Sequence, residues 1–293
     1  MAAPRRQITT PDGRTLSVAE AGDPDGLPVV VHHGTPSSSV VYARHDELAR
    51  EQGIRLIAYD RPGYADSTRH PGRAVIDCVA DVQAIADALA LDRFASWGIS
   101  GGGPHVLACA ALADRRLFAV ASLAAVAPYE AEGLDWFAGM GDDNIGEFGA
   151  VVAGPAALQA YLEPARTAHI DARPEELVAV LDSLLGPEDR SVLSHDFAEY
   201  LSEAARLALR DGTDGWFDDD VAFATPWGFD VAAIDRPVLL LHGDDDRFVP
   251  VAHAHWLAAR IPGVEARIDA NDGHLTLYER RVREAHEWLL ARR

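Results

Sequence analysis

The chain has 293 residues, of which 48% are hydrophobic and 25% are charged, a balance typical of a folded globular protein. Acidic residues outnumber basic ones by 46 to 26, and the formal net charge of −20 would repel phosphate backbones and anionic membrane surfaces. The chain contains arginine but no lysine, which excludes chemistry that needs a P-loop lysine or a Schiff-base lysine. We therefore expect a small-molecule substrate, no nucleic-acid partner and no membrane partner, while a homo-oligomer is left open.

The N-terminal segment, the apolar runs and the cysteines are used to predict the cellular location. The N-terminal segment has no apolar run typical of a signal peptide, and no stretch reaches the roughly 18 apolar residues of a membrane span. Cys78 and Cys109 fall on apolar stripes of predicted helices, where free thiols behave as small buried hydrophobes. We expect a cytoplasmic protein with structural cysteines, no disulfide framework and no metal site.

Short β-branched runs alternate with helical patterns along most of the chain, which predicts a parallel sheet covered by helices. The first two strands are expected to form a hairpin around the turn at residues 11–13. Strands are predicted, in chain order, at residues 7–10, 15–19, 29–32, 54–59, 94–97, 118–123, 238–242 and 265–268. Helices are predicted at residues 38–52, 75–89, 103–113, 251–260 and 276–292.

The alternation stops between residues 128 and 232, where helical patterns occur without a convincing strand. These patterns cover residues 147–167, 175–185 and 188–210. We expect an all-helical insertion, with residues 128–232 forming one domain and residues 1–127 and 233–293 forming the other. The acidic run of Asp218, Asp219 and Asp220 within the insertion is expected on a solvated face.

Residues 98–102 read Gly-Ile-Ser-Gly-Gly and match the G-x-S-x-G pattern, between a predicted strand and a helix rich in small residues. A nucleophile on such a turn occupies strained backbone, and glycine neighbours avoid steric clashes there. The alternative is a glycine-rich loop that binds a phosphate, but no G-x-G-x-x-G pattern is present and no lysine follows. Ser100 is therefore the candidate nucleophile.

A serine hydroxyl is a weak nucleophile at neutral pH and needs a base that is itself oriented by a third group. His274 follows the last predicted strand, and Asp244, Asp245 and Asp246 follow the strand before it. The carboxyl ends of parallel strands are where open α/β sheets build their sites. The residue pattern alone predicts a Ser, Asp and His set without choosing among the three aspartates.

These segments together resemble the α/β-hydrolase superfamily over nearly the whole chain. The matching landmarks, in the family's order, are His33-Gly34-Thr35-Pro36, residues 60–67, residues 98–102, Gly243-x-x-Asp246-x-x-Val249-Pro250, and Gly273-His274. The resemblance implies an α/β fold with a mostly parallel eight-stranded sheet and helices on both faces. It also implies an all-helical cap domain inserted between strands 6 and 7.

The resemblance further implies a role for each matching residue. Ser100 would be the nucleophile, His274 the general base, and Asp246 the carboxylate that orients the base. The spacing of the family's loop selects Asp246 rather than its two acidic neighbours. The backbone N–H groups of Thr35 and Gly101 would form the oxyanion hole, and no cofactor would be needed.

The substrate is predicted only as a class. Aromatic residues in and near the predicted insertion favour a small-to-medium apolar ester, thioester or lactone. The residues expected to line the substrate pocket are Tyr64, Trp136, Trp216, Trp227, Phe248 and Leu275. A proline-iminopeptidase-like aminopeptidase, a C–C bond hydrolase and a perhydrolase would share the triad, and a receptor-like binder with little turnover is a further alternative.

Overall fold

The computed structural model describes residues 5–193 and 195–293. Its strands are β1 (Arg5–Thr9), β2 (Thr15–Gly22), β3 (Leu27–His32), β4 (Ile54–Tyr59), β5 (Phe94–Ile99), β6 (Leu117–Leu123), β7 (Val238–Gly243) and β8 (Glu265–Asp269). They form one eight-stranded sheet in the order β1-β2-β4-β3-β5-β6-β7-β8. The β1–β2 and β2–β4 pairs are antiparallel and the others are parallel. The mostly parallel sheet of eight strands confirms the prediction.

The helices are α1 (Ala43–Gln52), α2 (Cys78–Ala88), α3 (Gly102–Leu112), α4 (Asp142–Ala153), α5 (Pro155–Asp171), α6 (Leu177–Val180), α7 (Pro187–Val192), α8 (His195–Ala208), α9 (Asp214–Phe223), α10 (Val251–Ala258), α11 (His274–Arg280) and α12 (Val282–Leu290). Short turns of 3-10 helix lie at Val75–Asp77, Pro174–Glu176, Asp182–Leu184 and Val231–Ala233. None of the helices in the described part of the chain combines the length and apolar character of a membrane span.

Apolar layers cover both faces of the sheet. Phe94 on β5 packs in one layer with Ile85 of α2, whereas Trp97 belongs to the opposite layer with Leu289 of α12. Every residue of β5 and of β7 is buried. Because these central strands are covered on both sides, they read as continuous apolar runs in the sequence, and their positions could be predicted.

Helix breaks account for most differences from the predicted elements. The pattern at residues 147–167 belongs to two helices, because Gly154 adopts a φ of 112° and Pro155 begins the next helix. The last predicted helix is likewise two helices, α11 and α12, which meet at Arg281. These predicted elements are therefore helical, as expected, but each is divided into two helices, at Gly154 and Pro155 in the first case and at Arg281 in the second.

Six helices, α4 to α9, lie between β6 and β7, and the described residues of this segment form no strand. The all-helical composition agrees with the sequence. Side chains of this segment contact the rest of the chain, and among them are a buried carboxylate of α7 and one of α9.

Candidate active site

Ser100 lies on the turn between β5 and α3 with a φ of 55°, which is the left-handed region. Its backbone N–H donates to the carbonyl of Leu123 at 2.9 Å, and its own carbonyl accepts from Gly103 N–H at 2.8 Å. These bonds hold a conformation that a residue with a side chain rarely adopts. The turn has the strand, serine and helix arrangement of a nucleophile elbow.

Gly102 explains why this turn needs a residue without a side chain. A Cβ atom at Gly102 would lie 2.2 Å from the carbonyl oxygen of His32, at the end of β3. The start of α3 therefore contacts the end of β3 directly. This close approach brings the segment after β3, which carries Thr35, beside Ser100.

The two residues predicted for the oxyanion hole adjoin one another. A Cβ atom at Gly101 would lie 2.3 Å from Thr35 Oγ1, and one at Gly34 would lie 3.5 Å from Ser100 Cβ. Thr35, Gly101 and Ser100 thus share one small region at the carboxyl edge of the sheet. The sequence separation between Thr35 and the elbow is closed by the parallel β3–β5 pairing.

His274 Nδ1 and Asp246 Oδ2 lie 2.8 Å apart, and both side chains are buried. Asp246 Oδ1 also accepts the backbone N–H groups of Phe248 at 2.9 Å and Val249 at 2.8 Å. With Nδ1 occupied, Nε2 is the ring atom that can accept a proton. Of the neighbouring acids, Asp244 is exposed and Asp245 is half-buried.

Electrostatics favour a basic His274. Burial lowers the pKa of His274. The negative charge of Asp246 and the hydrogen bond that His274 donates to it outweigh this effect and raise the pKa above the ordinary value of 6.5. The ring of Phe248 stacks on the imidazole with centroids 4.4 Å apart. Carboxylate and aromatic ring together restrict the orientation of the imidazole.

Asp189 of α7 is a positioning residue that the sequence analysis missed. It is fully buried, and it accepts the backbone N–H groups of His274, Leu275 and Thr276 at 2.9, 2.8 and 3.0 Å. A carboxylate at the start of a helix satisfies N–H groups that have no partner within the helix. A side chain from the helical insertion therefore holds the first turn of the helix that carries His274.

The expectation for the acidic run is wrong. Asp218 is 4% exposed, and Asp219 and Asp220 are 0% exposed, so α9 directs these carboxylates into the protein. Buried carboxylates need cationic partners or protons. The arginine partners of Asp218 and Asp219 come from the segment after β4, which is distant in sequence, so they could not be inferred from the acidic run.

Asp219 joins the helical insertion to the oxyanion segment. Its carboxylate accepts Thr35 Oγ1–H at 2.7 Å and the hydroxyl of Tyr64 at 2.8 Å. It also pairs with Arg61 at 2.6 Å and with Arg73 at 2.7 Å, both buried. Burial alone would raise the pKa of Asp219, but the two arginines hold it well below its usual range. Asp219 is therefore a buried anion that fixes the side chain of Thr35.

Two chambers meet at Ser100, and Thr35 and Phe248 also line both of them. The acidic chamber extends under α4, α5 and α9, and its walls include Trp136, Glu147, Phe148, Tyr161, Trp216, Asp220 and Phe223. The aromatic chamber extends toward α8 and α11, and its walls include Trp97, Phe197, Tyr200, His274, Leu275 and Tyr278. Ser100 and His274 thus border a common space that a substrate can enter.

The predicted pocket residues divide between these chambers and other places. Trp136 and Trp216 line the acidic chamber, Leu275 lines the aromatic chamber, and Phe248 lines both. Tyr64 and Trp227 lie elsewhere. Tyr64 is buried behind Thr35, where its hydroxyl bonds Asp219, and Trp227 lines a separate cleft with Pro128 and Trp256. The aromatic character of a residue in the sequence did not show whether its side chain would line a chamber or pack elsewhere in the protein.

Comparison with known proteins identifies the family of the fold. A family model described as alpha/beta hydrolase fold matches residues 28–281. The chain is similar to a non-heme chloroperoxidase of Streptomyces lividans, with 30% identity over 251 residues and 84% of each chain covered. It is also similar to a bifunctional esterase/perhydrolase of Acinetobacter calcoaceticus, with 25% identity over 261 residues and 83% of each covered. The crystal structure of a bromoperoxidase from Bacillus anthracis has a TM-score of 0.69 at 24% identity, covering 98% of this chain and 99% of that one. The chain is therefore an enzyme of the α/β-hydrolase fold family.

Proposed function

We propose that the protein is a serine hydrolase that cleaves carboxylic esters through an acyl-enzyme on Ser100. The observation that carries this proposal is the 2.8 Å contact between His274 and Asp246, beside a cavity that Ser100 shares with His274. The similarity to a relative named as an esterase/perhydrolase supports an ester as the substrate. The strained turn at Ser100 supports its assignment as the nucleophile.

The proposed reaction has two halves. His274 Nε2 takes the proton of Ser100 as the serine oxygen attacks the ester carbonyl carbon, and the C–O bond then breaks as His274 returns that proton to the leaving alcohol. Water attacks the resulting acyl-enzyme by the reverse proton path and releases the acid. The backbone N–H groups of Thr35 and Gly101 would stabilise the oxyanion, and one such donor is typically worth about 10²- to 10³-fold in kcat.

In this proposal residues 128–232 act as a cap domain over the core of residues 1–127 and 233–293. Support comes from the acidic chamber, most of whose aromatic walls belong to this segment. Further support comes from Asp189 and Asp219, through which the segment bonds both the His274 loop and the Thr35 segment. The cap would then determine which substrates reach Ser100.

The proposal predicts that Ser100 reacts covalently with a fluorophosphonate. An activated serine attacks this electrophile, whereas an ordinary serine does not. Intact-mass measurement should show one adduct on the wild type and none on Ser100→Ala, and only the wild type should hydrolyse short neutral aryl esters. Equal labelling of the variant, or an unlabelled wild type without esterase activity, would contradict the hydrolase and favour a binding protein.

The raised pKa of His274 predicts the acid limb of the pH profile. The base must be neutral to accept the Ser100 proton, so kcat/KM should fall as the pH decreases through the pKa of His274. Because that pKa is raised, the midpoint of the limb should lie above 6.5. The measurement uses an ester that does not titrate in this range. A midpoint below 6.5 would show that Asp246 does not stabilise the charged imidazole in the free enzyme.

A further inference from the structure

Two carboxyl groups in the acidic chamber have no part in the proposed catalysis. Glu147 of α4 and Asp220 of α9 both line the chamber. Glu147 Oε1 accepts the indole N–H of Trp216 at 2.7 Å. Asp220 is 0% exposed, and neither of its carboxylate oxygens accepts a hydrogen bond from a donor group among the described residues. An unpartnered buried carboxylate that faces a cavity indicates that the cavity receives a hydrogen-bond donor.

The groups around Glu147 and Asp220 include one more carboxyl group than guanidinium groups. Arg61 and Arg73 both pair with Asp219, and two more carboxyl groups lie beside this cluster, that of the buried Asp220 and that of the half-buried Glu147. Two guanidinium groups thus face three carboxyl groups. Burial, followed by the negative charge of nearby Glu147, raises the pKa of Asp220, so this carboxyl group holds a proton more readily than an ordinary aspartate. A cation that enters the chamber can take the place of that proton.

The rest of the chamber suits an organic cation. Its walls include the aromatic side chains of Trp136, Phe148, Trp216 and Phe223, and the faces of such rings attract ammonium groups. Asp143, exposed on the same helix as Glu147, adds negative charge at the chamber wall. The second chamber at Ser100 is by contrast lined mainly by apolar and aromatic side chains. The two chambers therefore differ in the chemistry that they can bind.

We propose that Glu147 and Asp220 form a subsite for a protonated amine, so that the preferred substrate carries an ammonium group on one side of its scissile bond and an apolar group on the other. This inference rests on the proposed function, because it places the amine relative to Ser100. It names the substrate class as aminoacyl esters or esters of amino alcohols. It replaces the purely apolar substrate that the sequence predicts.

Matched pairs of esters test the subsite. In each pair a primary ammonium group in one ester is replaced by methyl in the other, with the amine on the acyl side in one pair and on the alcohol side in the second. The wild type should prefer the ammonium ester of at least one pair by roughly 30-fold or more in kcat/KM, the lower end for a buried charged contact. Glu147→Gln and Asp220→Asn should each reduce that preference by about tenfold or more.

Asp142→Asn is the matched control, since Asp142 is exposed on α4 and is not part of the chamber wall. It should keep the wild-type preference. Equal hydrolysis of both members of both pairs by the wild type would overturn the subsite while leaving the proposed esterase intact. A preference that survives both Glu147→Gln and Asp220→Asn would also overturn it.

A binding measurement separates the subsite from turnover. Titration calorimetry of Ser100→Ala with benzylamine and with benzyl alcohol should show tighter binding of the amine by tenfold or more, and Glu147→Gln in the same background should abolish the difference. If the wild type hydrolyses no ester and is not labelled at Ser100, the proposed function fails, and this titration still decides the subsite. Equal binding of amine and alcohol would overturn it.

Discussion

Replacing Asp246 with asparagine is expected to lower kcat by about 10³- to 10⁴-fold, by analogy with the same change in other serine triads. The carboxylate accepts Nδ1–H of His274 at 2.8 Å and is held by two backbone N–H groups of its own loop. An amide in this position favours the opposite imidazole tautomer, which leaves Nε2 protonated and unable to act as the base. The measurement is kcat for a neutral ester, with the melting temperature as a check on folding.

The neighbouring aspartates supply the controls for this experiment. Asp244 is exposed and Asp245 is half-buried, so Asp244→Asn and Asp245→Asn should keep kcat within about threefold of the wild type, as surface changes away from a site usually do. A 10³-fold loss of kcat from Asp245→Asn, together with a fully active Asp246→Asn, would show that Asp245 and not Asp246 orients His274. It would contradict both the structure of the loop and the sequence alignment with the family pattern. Comparable moderate losses from all three would indicate a general charge effect in the loop.

The parts of the site that could be predicted from sequence are those with short-range signals. Ser100 stands in a five-residue pattern between a strand and a helix, and the resemblance to the α/β-hydrolase superfamily implies Asp246 through the spacing of its loop. The structure places Asp246, rather than Asp244 or Asp245, against His274. The parallel sheet itself could be predicted because its buried strands read as apolar runs.

The acidic groups of the insertion could not be predicted, because their partners are distant in the chain. Asp219 is 158 residues from Arg61, and Asp189 is 85 residues from the His274 N–H group that it binds. Within α9 an acidic run is typical of a solvated helix face, and only the fold brings the arginines to it. The positions of Tyr64 and Trp227 could not be predicted either, because an aromatic side chain does not indicate in the sequence which cavity, if any, it lines.

The distant pairs give the helical insertion a structural role in the site. Asp189 bonds the backbone at His274, while Asp219 bonds the side chain of Thr35. Two side chains of one segment therefore contact two separate segments of the proposed reaction centre. Displacing the insertion would disturb the base and the oxyanion hole together, so its attachment should affect activity as well as stability.

The attachment at Asp219 can be tested with Asp219→Asn, which is expected to destabilise the protein by about 3 to 5 kcal/mol, the usual range when one partner of a buried ion pair is removed. The cause is that Arg61 and Arg73 would remain buried without the carboxylate that pairs with both of them. For a chain of 293 residues the melting temperature should fall by roughly 5 to 8 °C. Activity at a temperature where the variant stays folded should also fall, because Thr35 loses the carboxylate that accepts its hydroxyl.

Asp218→Asn provides the comparison on the same helix. Asp218 pairs with Arg69, whose side chain is 34% exposed, so this pair is partly solvated and should contribute only about 0 to 1 kcal/mol. Thermal melts and kcat/KM for one neutral ester, measured on both variants, decide the matter. Two results would count against this role: Asp219→Asn melts within 2 °C of Asp218→Asn, or its activity equals that of the wild type. Either result would show that the contacts of Asp219 with Arg61 and Arg73 do not hold the insertion against the Thr35 segment. Thr35 would then be positioned by its own loop alone.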